Sequence, residues 1–202
     1  MYTNALNYYP LCDGQAYPLD YVPFDDLVDA PHGRASAGLA LRTVAVLYSH
    51  FEWFLYVRQY DMIPPPFLCI PNEQYYAWAT LFCVPTFLGC WLLASGAMQL
   101  VSRALGGRGR FEDLASAVAW TIGVATMFTL VPDLTTITLG VYKSWWATSR
   151  VSLLTISLYV VAFVVLYTAA LRAVHGLGRA SAILVGLGGV VVCQGVFFLF
   201  IR

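Results

Sequence analysis

Four long windows of the sequence contain no lysine, arginine, aspartate or glutamate. They cover residues 76–102, 114–131, 151–171 and 180–201, which are 27, 18, 21 and 22 residues long. A helix rises about 1.5 Å per residue, so each window can cross a hydrocarbon layer about 30 Å thick. Only 11% of the residues are charged, against roughly 25% in a soluble domain. The sequence therefore predicts an integral membrane protein.

These windows are continuous apolar runs, which indicates helices. A membrane β-barrel would show segments of roughly ten residues in which apolar and polar side chains alternate, whereas the run LYVVAFVVLYTAAL at 158–171 does not alternate. Backbone groups in hydrocarbon must find partners within the chain, which a helix provides. We expect an all-α fold, a polytopic transmembrane helical bundle with four strong spans.

The segment at 34–60 is apolar and aromatic, but it carries Arg42, His50 and Glu52 near its middle. One charge at the centre of a spanning helix costs roughly 2.5 to 3.5 kcal/mol on insertion scales. A helix that lies in the membrane interface, with its aromatic side chains inward, avoids this cost. The alternative is a fifth span whose ionisable groups face neighbouring helices.

Composition divides the chain into three parts. Residues 1–33 are rich in tyrosine, proline and aspartate and show no helical period, which predicts an extramembrane arm. Residues 34–75 would form the interfacial helix and a proline-rich connector, and residues 76–202 the transmembrane bundle. With four spans the arm lies outside with the C-terminus, and with five spans it is cytoplasmic.

Basic residues in the short loops predict the orientation. The loops after the first and third spans contain five arginines, against Lys143, Arg150 and Arg202 on the other side. The side richer in lysine and arginine is cytoplasmic, and such side chains can reach lipid headgroups. The candidates for binding headgroups or a partner are Arg103, Arg108, Arg110, Arg172, His175 and Arg179.

The stretch LGGRGRFEDLAS at 105–116 resembles a phosphate-binding loop only superficially. Such a loop follows a strand and contains a lysine, whereas this stretch has no lysine and joins two apolar runs. Gly106, Gly107 and Gly109 are better explained by a helix C-cap and a tight turn. Glu112 and Asp113 would then stabilise the positive end of the following helix.

The last span contains small residues at helical spacing, which favours close helix packing. They are Gly178, Ala182, Gly186 and Gly189. They predict packing either within the same bundle or against another subunit.

No pattern of catalytic or metal-binding residues is recognisable. The three histidines lack the i, i+4 pairing and the neighbouring cysteines or carboxylates of a metal site. Asp133 follows the second span, and we expect it to reach the outer headgroups, whereas a deep acid would indicate ion coupling. Net charge is zero and no basic tail is present, which argues against nucleic acid binding. We expect no enzyme activity, no metal and no cofactor.

Three stretches together resemble the prokaryotic branch of the Yip family of multi-span membrane proteins, over about residues 51–202. They are WLLASGAMQLVSRALGGRGRFEDLASAVAW, then FTLVPDL, then YTAALRAVHGLGRASAILVGLGGVVVCQGVFFLFIR. The resemblance implies a compact helical bundle, usually of five spans, without catalytic residues and with a role in organising membranes or membrane complexes. The eukaryotic members interact with Rab GTPases, and that property is not carried over to this chain.

The sequence thus predicts a non-enzymatic scaffold or accessory subunit of a larger complex in a prokaryotic cytoplasmic membrane. Its partners would be membrane lipids and other membrane protein subunits. The alternative is a small transporter or channel, which requires polar groups around a midplane cavity. Of the polar residues in the spans, Gln99, Gln194 and scattered serines and threonines are the available groups.

Overall fold

A computed structural model describes residues 8–10, 16–18, 31–59, 70–138 and 150–200. The helices are α1 (Pro31–Val57), α2 (Tyr75–Ala104), α3 (Phe111–Thr138), α4 (Arg150–His175) and α5 (Arg179–Phe200), with a 3-10 turn at Asn72–Gln74 before α2. Two short strands, β1 (Tyr8–Pro10) and β2 (Ala16–Pro18), pair antiparallel with Tyr9 opposite Tyr17.

Four helices confirm the predicted spans. By length and composition, α2, residues 111–135 of α3, residues 156–175 of α4 and the whole of α5 can each cross a membrane. One boundary differs from expectation, because α3 does not end near Val131 but continues through Pro132 to Thr138. Proline is tolerated inside membrane helices, where neighbouring groups can satisfy the freed backbone carbonyl.

Helix α1 lies alongside the spans over most of their length. At its start Arg34 donates a hydrogen bond of 2.9 Å to Asp113, and near its end the Tyr48 hydroxyl lies 2.7 Å from Thr129 Oγ1. Between them, a Cβ on Gly123 would lie 3.3 Å from Ala40 Cβ. These contacts make α1 parallel to α3, which favours the fifth-span alternative, although by length and hydropathy α1 is not among the four described helices that can cross a membrane.

The five helices form a closed ring in the order α1, α2, α5, α4, α3, and α2 also contacts α3 across the bundle. Aromatic residues fill the centre, including Phe87, Phe163 and Tyr167, each at most 1% exposed. The outer surface is apolar as well, with Leu100 and Val191 more than 70% exposed. A surface of this kind is suited to lipid rather than water.

Candidate functional site

One end of the bundle gathers the exposed arginines, and we call it the arginine end. There the loop 105–110, between α2 and α3, packs against Val174 and His175 at the end of α4, and the first turn of α1 bonds the start of α3. The exposed arginines at this end are Arg34, Arg103, Arg108, Arg110, Arg172 and Arg179.

The glycine-rich loop closes α2 in the manner that the sequence predicts. Gly106 has a φ of 87°, in the left-handed region. The Gly107 N–H then donates a hydrogen bond of 2.8 Å to the carbonyl of Ser102. This is the geometry of a Schellman C-cap, in which a left-handed glycine lets the chain turn back on the last helical carbonyls. The C-cap interpretation of this loop is confirmed.

His175 joins the two loops of the arginine end. Its ring is only 6% exposed, and its Nδ1 accepts a hydrogen bond of 3.1 Å from the Gly109 N–H. An acceptor role for Nδ1 places the proton of the neutral ring on Nε2. On the other side of the peptide, Gln99 and Arg103 donate to the Gly109 carbonyl at 3.2 and 3.0 Å. His175 therefore lies where it holds the loops together, not where it would meet a headgroup.

The five candidate arginines differ in their bonding. Arg110 pairs with Glu112 at 2.6 Å, and Arg103 is bound to the loop carbonyl as described above. Arg108, Arg172 and Arg179 are exposed and form no ion pair with any side chain in the described part of the chain. As far as the described side chains go, these three guanidinium groups are available to an external anion.

The small residues of α5 face different surroundings. Ala182, Gly186 and Gly189 are buried. A Cβ on Gly186 would lie 3.4 Å from Tyr167 Cβ of α4, and one on Gly189 would lie 2.5 Å from the sulfur of Met98 in α2. Gly178 is exposed and has no atom within 4 Å of its Cβ position. Three of the four small residues thus lie at contacts between helices of the same chain.

Sequence reasoning missed a pair of buried carboxyl groups near the opposite end of the bundle. Glu52 is 2% exposed and Asp133 is 7% exposed, and the two groups are close enough to interact electrostatically. Asp133 is therefore turned into the bundle instead of reaching the headgroups, which corrects the expectation for this residue. One oxygen of Glu52 is buried and has no hydrogen-bond partner among the described residues.

A signal for Glu52 was present in the sequence. With half-buried Tyr48 included, the inward residues of α1 recur at steps of three and four, and Glu52 lies in that series; the buried ones are Ala37, Leu41, Val44, Ala45, Phe51, Glu52 and Leu55. This is the period of an amphipathic helix with one face packed inward. An acid on the apolar stripe of a helix indicates burial, whereas its sequence position alone had suggested only an obstacle to spanning.

The outward face of α1 carries an exposed arginine between apolar residues. Arg42 is exposed, as are Leu39, Val46 and Trp53 on the same face. No acidic side chain of the described residues pairs with Arg42. A lipid-facing arginine at the middle of a span costs roughly 2.5 to 3.5 kcal/mol on insertion scales. Exposure of Arg42 to lipid at that depth would therefore be costly.

Among the described residues, no group of three or more histidine, cysteine, aspartate or glutamate side chains is arranged to hold a metal ion. The polar groups that lie together are instead the two carboxyls and the contacts of the arginine end.

Comparison with known proteins identifies the family. The model of the Yip1 domain matches residues 26–201, so the chain belongs to the Yip1 domain family, as the resemblance implied. The match begins well before residue 51 and includes all of α1. No curated protein and no solved structure matches the chain.

Proposed function

We propose that this Yip1-domain protein is a non-enzymatic scaffold or accessory subunit of a larger membrane complex, and that its arginine end binds acidic surfaces. The observation that supports this role is the group of three exposed arginines without ionic partners among the described side chains, Arg108, Arg172 and Arg179. We place the protein in a prokaryotic cytoplasmic membrane.

The charge balance of the arginine end favours an anionic partner. Among the described residues, its six arginines face two carboxylates, those of Glu112 and Asp113, which leaves four positive charges uncompensated. The positive-inside rule assigns this end to the cytoplasm, where the anionic leaflet attracts each arginine by about 1 kcal/mol. Because α1 starts at the same end, the arm at residues 1–30 would also emerge on the cytoplasmic side.

The test compares arginine variants in native membranes. The protein is purified in a gentle detergent, and co-eluting proteins are identified for the wild type and for a variant with Arg108→Gln, Arg172→Gln and Arg179→Gln. We expect specific membrane subunits to co-elute with the wild type and to be lost from the variant. Arg58→Gln, at the far end of α1, is the control and should keep them. A monomer without partners in every sample would overturn the proposal.

Lipid binding at the same end is measured separately. The wild type and the triple variant are reconstituted in vesicles of phosphatidylcholine with and without phosphatidylglycerol, and bound phosphatidylglycerol is quantified. Enrichment that depends on the three arginines, without any co-eluting protein, would restrict the partners to lipids.

The buried carboxyl pair favours a second candidate function, a small ion-coupled transporter. Acids inside a membrane bundle commonly carry protons or bind ions, and Glu52 and Asp133 are both buried on helices that contact each other. Proteoliposomes with an internal pH-sensitive dye test this candidate. A transporter would move protons down an imposed gradient, and Glu52→Gln would abolish the flux. Absence of flux in the wild type would exclude proton coupling.

A further inference from the structure

We infer that the outward face of α1 binds a transmembrane helix of another protein that carries a carboxylate near the middle of the membrane, opposite Arg42. This inference rests on the proposed accessory-subunit function and names the chemistry of the partner. The face consists of exposed residues within one stripe of α1: Ala35, Gly38, Leu39, Arg42, Thr43, Val46 and Trp53.

The depth of Arg42 follows from contacts with two spans. Gly123, which lies against Ala40, is the middle residue of the span 111–135 in α3. Arg42 is two residues further along, which is about 3 Å of helix rise. On the other side, Ser49 donates to the Thr80 carbonyl at 2.9 Å in the antiparallel helix α2, which puts Arg42 near the middle of α2 as well. Arg42 therefore lies close to the membrane midplane.

At this depth lipid headgroups cannot solvate the guanidinium well. Half the hydrocarbon thickness is about 15 Å, farther than an arginine side chain extends. Within the chain, Arg42 forms no ion pair with the described side chains. His50, two turns further along α1, is also exposed, but it bonds the Val46 carbonyl at 2.8 Å and lies nearer the far end of the bundle. Arg42 is thus the group on this face that requires an external partner.

A carboxylate is the complementary group. Guanidinium and carboxylate form two parallel hydrogen bonds and neutralise each other, which makes the pair far less costly in hydrocarbon than either ion alone. The small residues Ala35 and Gly38 allow another backbone to approach this face closely, and a Cβ on Gly38 would meet no atom within 4 Å.

A second copy of this chain does not supply that carboxylate from its described residues. Glu52 and Asp133 are buried, whereas Glu73, Glu112 and Asp113 lie at or before the first turns of their helices. No described acid is exposed at the depth of Arg42. The described residues therefore favour a different membrane protein as the partner, and a second copy of this chain is left as an outcome of the test.

The experiment uses the full chain in phosphatidylcholine vesicles and measures energy transfer to labelled transmembrane peptides. The probes are leucine peptides of about 20 residues with a central glutamate, glutamine, lysine or leucine. We expect the glutamate peptide to bind about tenfold more tightly than the leucine peptide, as interhelical polar pairs in membranes allow. Arg42→Gln should remove this preference, while Arg58→Gln, at the end of α1, should leave it unchanged.

A charge-reversal variant distinguishes loss of the specific contact from misfolding. Arg42→Glu should lose the glutamate peptide and gain a preference for the lysine peptide, which an unfolded protein would not do.

Equal binding of the glutamate and leucine peptides, or a glutamate preference that survives Arg42→Gln, would overturn the inference. Failure of all peptides to bind would assign the face to lipid. Energy transfer between copies of the protein that depends on Arg42 would assign this face to a homodimer. Assignment of the face to lipid or to a homodimer would also overturn the inference.

Failure here is distinguishable from failure of the proposed function. If membrane subunits co-elute through the arginine end but the peptides show no dependence on Arg42, the accessory role stands and the α1 surface does not carry it. If no subunit co-elutes while the glutamate preference is observed, the surface is real and the cytoplasmic role of the arginine end is wrong.

Discussion

The two ends of the bundle differ in whether their charged side chains are exposed or buried. At the arginine end the arginines are exposed, and the glycine loop is held by the bond from the Gly109 N–H to His175 Nδ1 and by the bond from Arg103 to the Gly109 carbonyl. Toward the other end two carboxyls, Glu52 and Asp133, are turned inward. Outward charges are solvated by water and headgroups, whereas buried charges lose that solvation. The exposed arginines therefore cost little to keep charged, whereas the two buried carboxyls cost stability when they ionise.

The largest effect should come from the loop contact at the arginine end. A Cβ on Gly109 would overlap the backbone carbonyl of Val174, which cannot move without displacing the end of α4. Gly109→Ala should destabilise the protein by about 3 kcal/mol, measured by thermal unfolding in mild detergent. Gly96→Ala, with no atom within 4 Å of its Cβ position, is the matched control. Equal melting temperatures for the two variants would show that the loops do not form this contact.

The carboxyl pair should respond in the opposite direction. Glu52→Gln removes one of two neighbouring buried acids and keeps the side-chain volume, so it should stabilise the protein by about 1 to 2 kcal/mol. The gain should grow as the pH rises, since only the wild-type carboxyl can ionise. Denaturant unfolding over a pH series measures it, with exposed Glu73→Gln as control. A loss of stability instead would indicate that a bound cation compensates the wild-type carboxylate.

A smaller effect is expected from the hydrogen bond beside the carboxyl pair. The Tyr48 hydroxyl lies 2.7 Å from Thr129 Oγ1 and links α1 to α3. Tyr48→Phe should cost about 1 kcal/mol by removing this bond, again measured by denaturant unfolding. The same change at exposed Tyr56 should have no measurable effect. If the two variants are equally stable, α1 is held to α3 by apolar packing alone.

The smallest change in stability is expected from glycine substitutions in α5. In α5, Gly188 has no atom within 4 Å of its Cβ position, whereas its neighbour Gly189 faces the sulfur of Met98 at 2.5 Å. Gly188→Ala should stabilise the helix by up to about 1 kcal/mol. Gly189→Ala should lose about 1 kcal/mol, a modest cost because methionine adapts its shape. Melting temperatures that move in the same direction for both would contradict the orientation of α5.

Local signals in the sequence were sufficient for the spans and for the glycine loop. Long windows without charge admit no structure in hydrocarbon except helices, and these windows correspond to α2 to α5. The turn after α2 was equally readable, because Gly106 adopts a left-handed conformation that glycine enters at little cost.

Helix α1 could not be assigned in this way. In the sequence, Arg42, His50 and Glu52 all count against spanning, but in the bundle they have different surroundings. Glu52 faces inward and Arg42 faces outward. The rotation of α1 about its axis, relative to α2 and α3, decides which of these side chains is buried. That rotation is set by packing among helices distant in sequence.

The amino-acid sequence by itself determined that most of this protein lies in lipid and how many strongly apolar helices it has. Hydrophobicity and helix length are properties of contiguous residues, so they can be read without the tertiary structure. Only the tertiary structure decided which faces turn inward. It buried Ala182, Gly186 and Gly189 of α5, and it buried Glu52 and Asp133 from two different helices. The physical reason is that lipid offers apolar side chains no preference for inside or outside, so the fit between helices chooses the orientation.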